Sequence, residues 1–295
     1  MNSMQNEYTA SFYITAYLDL LGTTSRLNRL DEFFTPIDEH TKKEIAISAM
    51  QPLVTFRNSF NLFYSAFSKR QDMTGIKASV EKKLNVKFPK LKISYFSDSV
   101  ILNLPILIMD GLPLLLELEV MFVASCIACL VCASMGWPIR GGIDLGIGIN
   151  FGYEIVGNSL AKAYYLESKK AIYPRIIIGD KLLDLINNFA KLQNTNCKTD
   201  ELYSALNDIN KSYCENVKRI IYEDFDNQIT VDYLNKDIIK LSPVETYRIL
   251  LGDFIKITEK TMAECEEEGI KIKYQYLKKY ILRNMSAEEY NSYSQ

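Results

Sequence analysis

Two aspartates stand where a folded chain could hold a divalent cation. Asp98 lies in residues 92–105, KISYFSDSVILNLP, between the apolar runs 93–96 and 100–104. Two β-forming runs around a polar Ser-Asp-Ser read as a tight β-hairpin with the acid at its tip. Folding does not require an acid there, since Asn-Gly or Asp-Gly would turn the chain better. Asp19 ends a second apolar run, 12–18, and precedes Leu20-Leu21-Gly22-Thr23-Thr24. Carboxylates at the ends of neighbouring strands can share divalent metals, the arrangement used to activate hydroxyls and neutralise phosphates. Taken singly, Asp98 reads equally well as an Asx turn and Asp19 as a helix cap. The pair, set beside the glycine-rich residues 140–157, points to a site.

Other chemistries are excluded by composition. The single histidine, His40, lies in the polar run 38–44, which rules out a Ser-His-Asp centre or a multi-histidine metal site. A net charge of −2 lacks the basic excess of a dedicated nucleic-acid binder, though a local positive pocket for phosphate is compatible with it. Six cysteines and a start, MNSMQNEYTA, with neither a basic nor an apolar leader imply free thiols in a reducing cytoplasm. The apolar stretch 113–135 is broken by Glu117 and Glu119, which leaves about sixteen uncharged residues, short of a membrane span. It reads as a buried helix, and Cys126, Cys129 and Cys132 on it as small core-packing thiols.

The elements that must position the acids follow in chain order. Residues 12–19 read as a central strand buried on both faces. Gly22-Thr23-Thr24 provides a turn and hydroxyls before a helix from about Ser25, whose backbone N–H groups are free to hold phosphate. Residues 53–67 carry Phe56, Phe60, Phe63 and Phe67 at helical spacing, and 69–91 form a lysine-rich connection. Residues 139–151 are a strand whose glycines, in Arg140-Gly141-Gly142-Ile143-Asp144-Leu145-Gly146-Ile147-Gly148, imply close approach of a ligand or another backbone. A short strand at 153–156 follows, then Gly157-Asn158-Ser159 capping a helix over 160–169, a strand at 174–178 and a helix over 180–192. The polar run 193–199 is the best domain boundary. Beyond it come a helix to about Cys214, a hairpin across 220–234 and long helices from Pro243 and Lys273, with the charge run 264–268 as a solvated helix face.

This order, with acids at the first strand end and the hairpin, resembles the class III nucleotide cyclase catalytic domain, a ferredoxin-like α/β sandwich with a mixed, largely antiparallel sheet. Tyr17-Leu18-Asp19-Leu20-Leu21-Gly22-Thr23 is similar to that family's F-x-D-I-x-G-F/T segment, and Phe96-Ser97-Asp98 stands for I-G-D. The Arg140–Gly146 run is similar to R-I-G-I-H-x-G, with Asp144 in place of histidine. Tyr153-Glu154-Ile155-Val156-Gly157-Asn158-Ser159 lines up with Y-D-I-x-G-x-x. The resemblance covers residues 11–192 and leaves 193–295 as a hairpin-plus-helices extension without an assigned role.

The resemblance implies that Asp19, Asp98 and the Leu20 carbonyl bind two Mg²⁺ or Mn²⁺ ions, and that Gly22, Thr23 and Thr24 hold a triphosphate. It implies a homodimer with sites between subunits. Ser94 stands at one base-selecting position, where adenine enzymes carry Lys and guanine enzymes Glu; Glu154 stands at the other, and Asn158 lies beside it. The family helix after Gly157 carries an Asn and, four residues on, a transition-state Arg, but here those positions are Ala161 and Tyr165. Arg140 is the leading replacement cation. Arg175 is the other candidate, read more simply as a surface strand residue. For Arg140 the structural alternative is a salt bridge to Asp144 or Glu154. Ser94 together with FSDS, RGGI and GNSLAKAYYLE most resembles the pyrimidine cyclases of the bacterial Pycsar anti-phage system, which convert UTP or CTP to cyclic UMP or cyclic CMP read by a separate effector. The alternatives are a non-catalytic nucleotide-sensing or dimerisation module of the same fold and a purine cyclase.

Overall fold

Strand β1 (Thr9–Leu20) is the middle of a mixed sheet in the computed structural model, which describes residues 9–73, 78–79, 81–82, 85, 87, 90–109, 112–115, 117–151, 154–191, 201–239 and 244–294. On one side it pairs antiparallel with β3 (Ser99–Met109), which forms the expected hairpin with β2 (Lys92–Phe96) across Ser97 and Asp98. On the other it pairs antiparallel with β5 (Ile139–Phe151) along its whole length. The short β4 (Leu112–Leu114) and β6 (Glu154–Gly157) add to β3 and β5. Beyond β5 lies β7 (Ile176–Ile178), parallel to it, and then β9 (Ile229–Val231) and β8 (Ile221–Glu223). The order is therefore β2-β3-β1-β5-β7-β9-β8.

Alternation along β1 sorts its side chains between two layers. Ile14, Ala16, Leu18 and Leu20 are buried in the main core, with Phe56 and Phe60 of α2 (Glu39–Met73) and with α3 (Leu118–Ser134). The latter is apolar on every side because α2 and later helices enclose it, as a fully buried helix requires. Among the described residues no helix is long and apolar enough to cross a membrane. Burial also raises the thiol pKa values of Cys126, Cys129 and Cys132, so they pack as inert core groups. The helix after Gly22, α1 (Thr23–Asn28), runs into a 3-10 turn, Arg29–Phe34. His40 is exposed on α2.

On the opposite face, α4 (Asn158–Tyr165) crosses β5 and β1, then widens into a π-turn, Leu166–Lys170. Two of the β5 glycines, Gly142 and Gly146, make room for this crossing, while Gly141 and Gly148 lie against β1 and β6 residues. A Cβ on Gly142 would meet Ala163 and Leu166 below 2.6 Å, and one on Gly146 would strike Asn158 and Ser159. Of the two readings, backbone approach is the one the structure bears out. The turn before α4 also departs from expectation: Gly157 is the N-cap, and among the described residues no side chain caps it and the buried Ser159 hydroxyl has no hydrogen-bond partner.

The residues beyond 200 build onto the same sheet and core. Helix α5 (Asp180–Lys191) packs on α6 (Glu201–Arg219), which runs past Cys214 to Arg219. The β8–β9 hairpin extends the sheet from β7, with Ile177 opposite Thr230. The short α7 (Lys236–Ile239), then α8 (Val244–Glu264), α9 (Glu268–Asn284) and α10 (Ala287–Ser294) complete the layer over α3. The acidic run 264–268 is the exposed link between α8 and α9 rather than one helix face, and α9 begins at Glu268, not Lys273. The polar run 193–199 and Tyr153 lie outside the described residues.

Candidate functional site

Strand pairing sets Asp19 between Ser99 on β3 and Arg140 on β5. Because Ser99 follows the hairpin tip, the same pairing draws Asp98 alongside: the Leu20 N–H donates to the Asp98 carbonyl at 3.2 Å. The Ser99 hydroxyl donates to the Asp19 carboxylate at 2.9 Å. Gly22 takes the left-handed conformation, φ 81°, that a turn directly off a strand end requires. This swings Thr23 back under the acids, where its buried hydroxyl donates to the Asp98 carboxylate and lies 3.3 Å from the Leu20 carbonyl. Asp19, Leu20, Gly22, Thr23, Asp98 and Arg140 thus form one corner.

The corner holds more negative charge than it neutralises. Burial raises the Asp19 pKa to about 6 from an ordinary 3.8; Ser99 opposes the rise, Asp98 and Glu167 add to it, and Arg140 offsets part of it. Arg140 Nη2 is 3.5 Å from Asp19, while its Nε is 2.5 Å from Glu167 Oε1. That second contact is too oblique for a hydrogen bond and is held by charge. Arg140 therefore bridges Asp19 and Glu167, not Asp144 or Glu154 as the structural alternative had it. Glu167, 2% exposed, is the member of the corner that the sequence reading missed. Burial raises its pKa and Arg140 lowers it. Its signal was present: Ser159, Ala163 and Glu167 recur every four residues and are all buried, so an acid continues the packed face of α4.

A divalent cation suits this donor set. Asp19, Asp98 and the Leu20 carbonyl are hard oxygen donors, and although burial is the main cause of the raised Asp19 pKa, the part added by Asp98 and Glu167 is negative charge that a cation would offset. No group of three or more His, Cys, Asp or Glu side chains among the described residues makes a ready metal cage. A metal here would complete its shell with water and substrate oxygens, as Mg²⁺ commonly does.

The remaining predicted residues lie elsewhere. Ser94 sits on β2 opposite Ile101, half-buried. Glu154 pairs with Phe151 at the far end of β5 from Arg140, on the order of 35 Å along the strand at a rise of ~3.4 Å per residue. Asn158 lies over Gly146, also away from the acids. One chain therefore does not bring Ser94, Glu154 or Asn158 onto the Asp19 corner. The side chains of Thr24 and Glu154 are outside the described ones. Ala161 and Tyr165, at the family's Asn and Arg positions, are exposed.

Two residues take structural roles. Asp144 accepts the N–H groups of Leu145 and Leu182 at 2.8 and 3.1 Å, tying β5 to the start of α5. Arg175 is neither a surface residue nor near the acids. It is 1% exposed and donates to Asp224 at 2.6 Å and to both Asp226 carboxylate oxygens at 2.8 and 2.5 Å. Burial alone would lower its pKa, but the bonds to Asp226 and Asp224 outweigh that and raise it.

Comparison with protein-family models, curated proteins and solved structures finds no match for this chain. The functional argument rests on the corner itself.

Proposed function

We propose that this chain is a metal-dependent pyrimidine nucleotide cyclase, converting UTP or CTP to 3′,5′-cyclic UMP or cyclic CMP and pyrophosphate as a messenger in anti-phage defence, read by a separate cyclic-nucleotide-binding effector. The observation that carries the reading is Asp19 and Asp98 meeting at one strand end with Arg140 in register beside them. The order β5-β1-β3-β2, with antiparallel pairing on both sides of β1, supports the ferredoxin-like plan of the class III cyclase sandwich.

Two Mn²⁺ or Mg²⁺ ions held by Asp19, Asp98 and the Leu20 carbonyl would lower the pKa of the ribose 3′-hydroxyl and neutralise the leaving pyrophosphate. The chain's own groups do the rest. Ser99 and Thr23 fix the two carboxylates by donating to them. Glu167 engages Arg140 at Nε and leaves Nη2 turned toward Asp19, where a guanidinium can take up charge on phosphate oxygens. Gly22, Thr23 and Thr24 line the turn over which the triphosphate would lie.

Ser94, Glu154 and Asn158 would fit this reading only as parts of a site completed by a second copy in a homodimer. An uncovered apolar stretch of sheet supports that assembly. Phe12 pairs with Ile147 and Ile149 with Val156, and all four are 42–56% exposed on one face. A second reading, a non-catalytic nucleotide-sensing module, draws on the exposed Tyr165 where the family carries its arginine.

Incubation of the purified chain with each of ATP, GTP, CTP and UTP and Mn²⁺, with products identified by mass, separates the readings. Cyclic UMP or cyclic CMP is expected. Cyclic purines would correct the substrate, and four unreacted triphosphates would favour the sensing module.

A further inference from the structure

A second concave site lies in the part of the chain that the cyclase reading leaves without a role. Its cavity measures about 450 Å³, within the range of small-molecule sites, and opens between the β8–β9 hairpin and α9. Gln275, Lys279 and Arg283 line it from α9. Their spacing of four puts all three donors on one stripe of the helix. Each is exposed, and among the described residues neither Lys279 nor Arg283 has a carboxylate partner. Asp224, the acid in the wall, is already held by Arg175 and by the Tyr276 hydroxyl, so it does not oppose them.

The floor is aromatic and ordered. Tyr222 stacks on Tyr280 at 6.0 Å, and the Arg283 guanidinium lies 3.4 Å from the Tyr222 ring centroid. An arginine laid on an aromatic ring keeps its N–H donors in plane and pointing outward, a fork already shaped for phosphate oxygens. Beside it Tyr173 stacks on Tyr276 at 4.8 Å, and the Phe225 ring, 68% exposed at the hairpin tip, meets Tyr173 edge-on. An exposed aromatic next to two unpaired cations and a carboxamide suits a ligand that is flat at one end and anionic at the other. We infer that this cavity binds a nucleoside phosphate, with its phosphate on Arg283 and Lys279, its base against Phe225 and Gln275 reading the base edge.

The cavity is wired to the rest of the sheet. Tyr173, Phe225 and Tyr276 all carry the buried Arg175 guanidinium near their rings, and the Arg175 carbonyl accepts the Gly141 N–H at 2.9 Å, next to Arg140. A ligand there touches the framework of β5. The inference does not depend on the cyclase reading.

The test is calorimetric titration of the full chain in EDTA with the four nucleoside 5′-monophosphates, the four nucleosides and inorganic phosphate. At least one monophosphate is expected to bind tenfold or more tighter than both its nucleoside and phosphate. The Lys279→Glu/Arg283→Glu variant should lose at least tenfold of that affinity, Phe225→Ser should weaken the monophosphate but not phosphate, and Asp98→Asn should bind as the wild type does. Phe225, Lys279 and Arg283 are exposed and Asp98 is half-buried, and circular dichroism checks the fold of each variant. No monophosphate exceeding phosphate, binding that survives the double charge reversal, or binding lost in Asp98→Asn would each overturn the inference.

Discussion

Two arginines on neighbouring segments of the same sheet show how differently one side chain can be used. Arg175 is sealed from water and matched by Asp224 and Asp226 through short bonds, with three aromatic rings around it. Its charge is spent on holding the β8–β9 hairpin to the sheet. Arg140 is 29% exposed, shares itself between Asp19 and Glu167 at one long and one oblique contact, and is outnumbered once Asp98 is counted. An ion pair that meets both terminal nitrogens of Arg175, leaving its buried Nε alone without a partner among the described residues, fixes a fold. An under-neutralised corner, costly to form and open to solvent, is what binding and phosphoryl chemistry need.

The largest effect should come from breaking the sealed pair. Arg175→Met leaves the part-buried Asp224 and the more open Asp226 without their shared cation. It should cost about 3 kcal/mol, the low end for a broken buried pair because Asp226 keeps contact with solvent, read as a fall in urea midpoint at constant slope. A loss under 1 kcal/mol would mean that Arg175 does not anchor the hairpin. Arg140→Ala should lower turnover about 100-fold or more, since a donor to developing phosphate charge is lost. Because the buried Glu167 then loses its cation, the contrast is read in Arg140→Ala/Glu167→Gln, which should keep its melting temperature while the turnover stays lost. A large drop in melting temperature at near-normal turnover would erase the contrast between the two arginines.

Asp19 gives a smaller effect of opposite sign. The folded chain keeps the Asp19 proton up to about pH 6, whereas the unfolded chain releases it near 3.8. Metal-free stability should therefore fall as pH rises between those values and level off above them. Asp19→Asn should flatten that slope and raise stability at pH 7 by about 2–3 kcal/mol, the worth of that roughly two-unit rise, in which the attraction to Arg140 is already counted. A destabilised Asp19→Asn at pH 7 without metal would show that Arg140 already balances the corner.

Much of this contrast was legible in the sequence, because strands announce themselves by local composition. The hairpin carrying Asp98, the strand ending at Asp19 and the glycine-marked strand of Arg140 all stand where β-forming runs and their polar interruptions put them. Arg175 was not legible. Its partners lie some fifty positions further on, and nothing local distinguishes a buried Pro-Arg from an exposed one. Glu167 was half legible: its spacing from Ser159 and Ala163 was visible, but the π-turn that brings it under Arg140 has no sequence mark. The glycines were read correctly as close-approach positions, and only packing could show that α4 approaches Gly142 and Gly146 while neighbouring strands approach Gly141 and Gly148.

The central claim is that Asp19 and Asp98 make a corner built for a divalent cation. Mn²⁺ titration followed by electron paramagnetic resonance, at pH 7.5 and pH 5, tests it without requiring turnover. The wild-type chain should bind Mn²⁺ at pH 7.5 and lose affinity several-fold at pH 5 as Asp19 takes up its proton, and Asp98→Asn should bind at least tenfold more weakly at pH 7.5. Equal binding by wild type and Asp98→Asn would contradict the account.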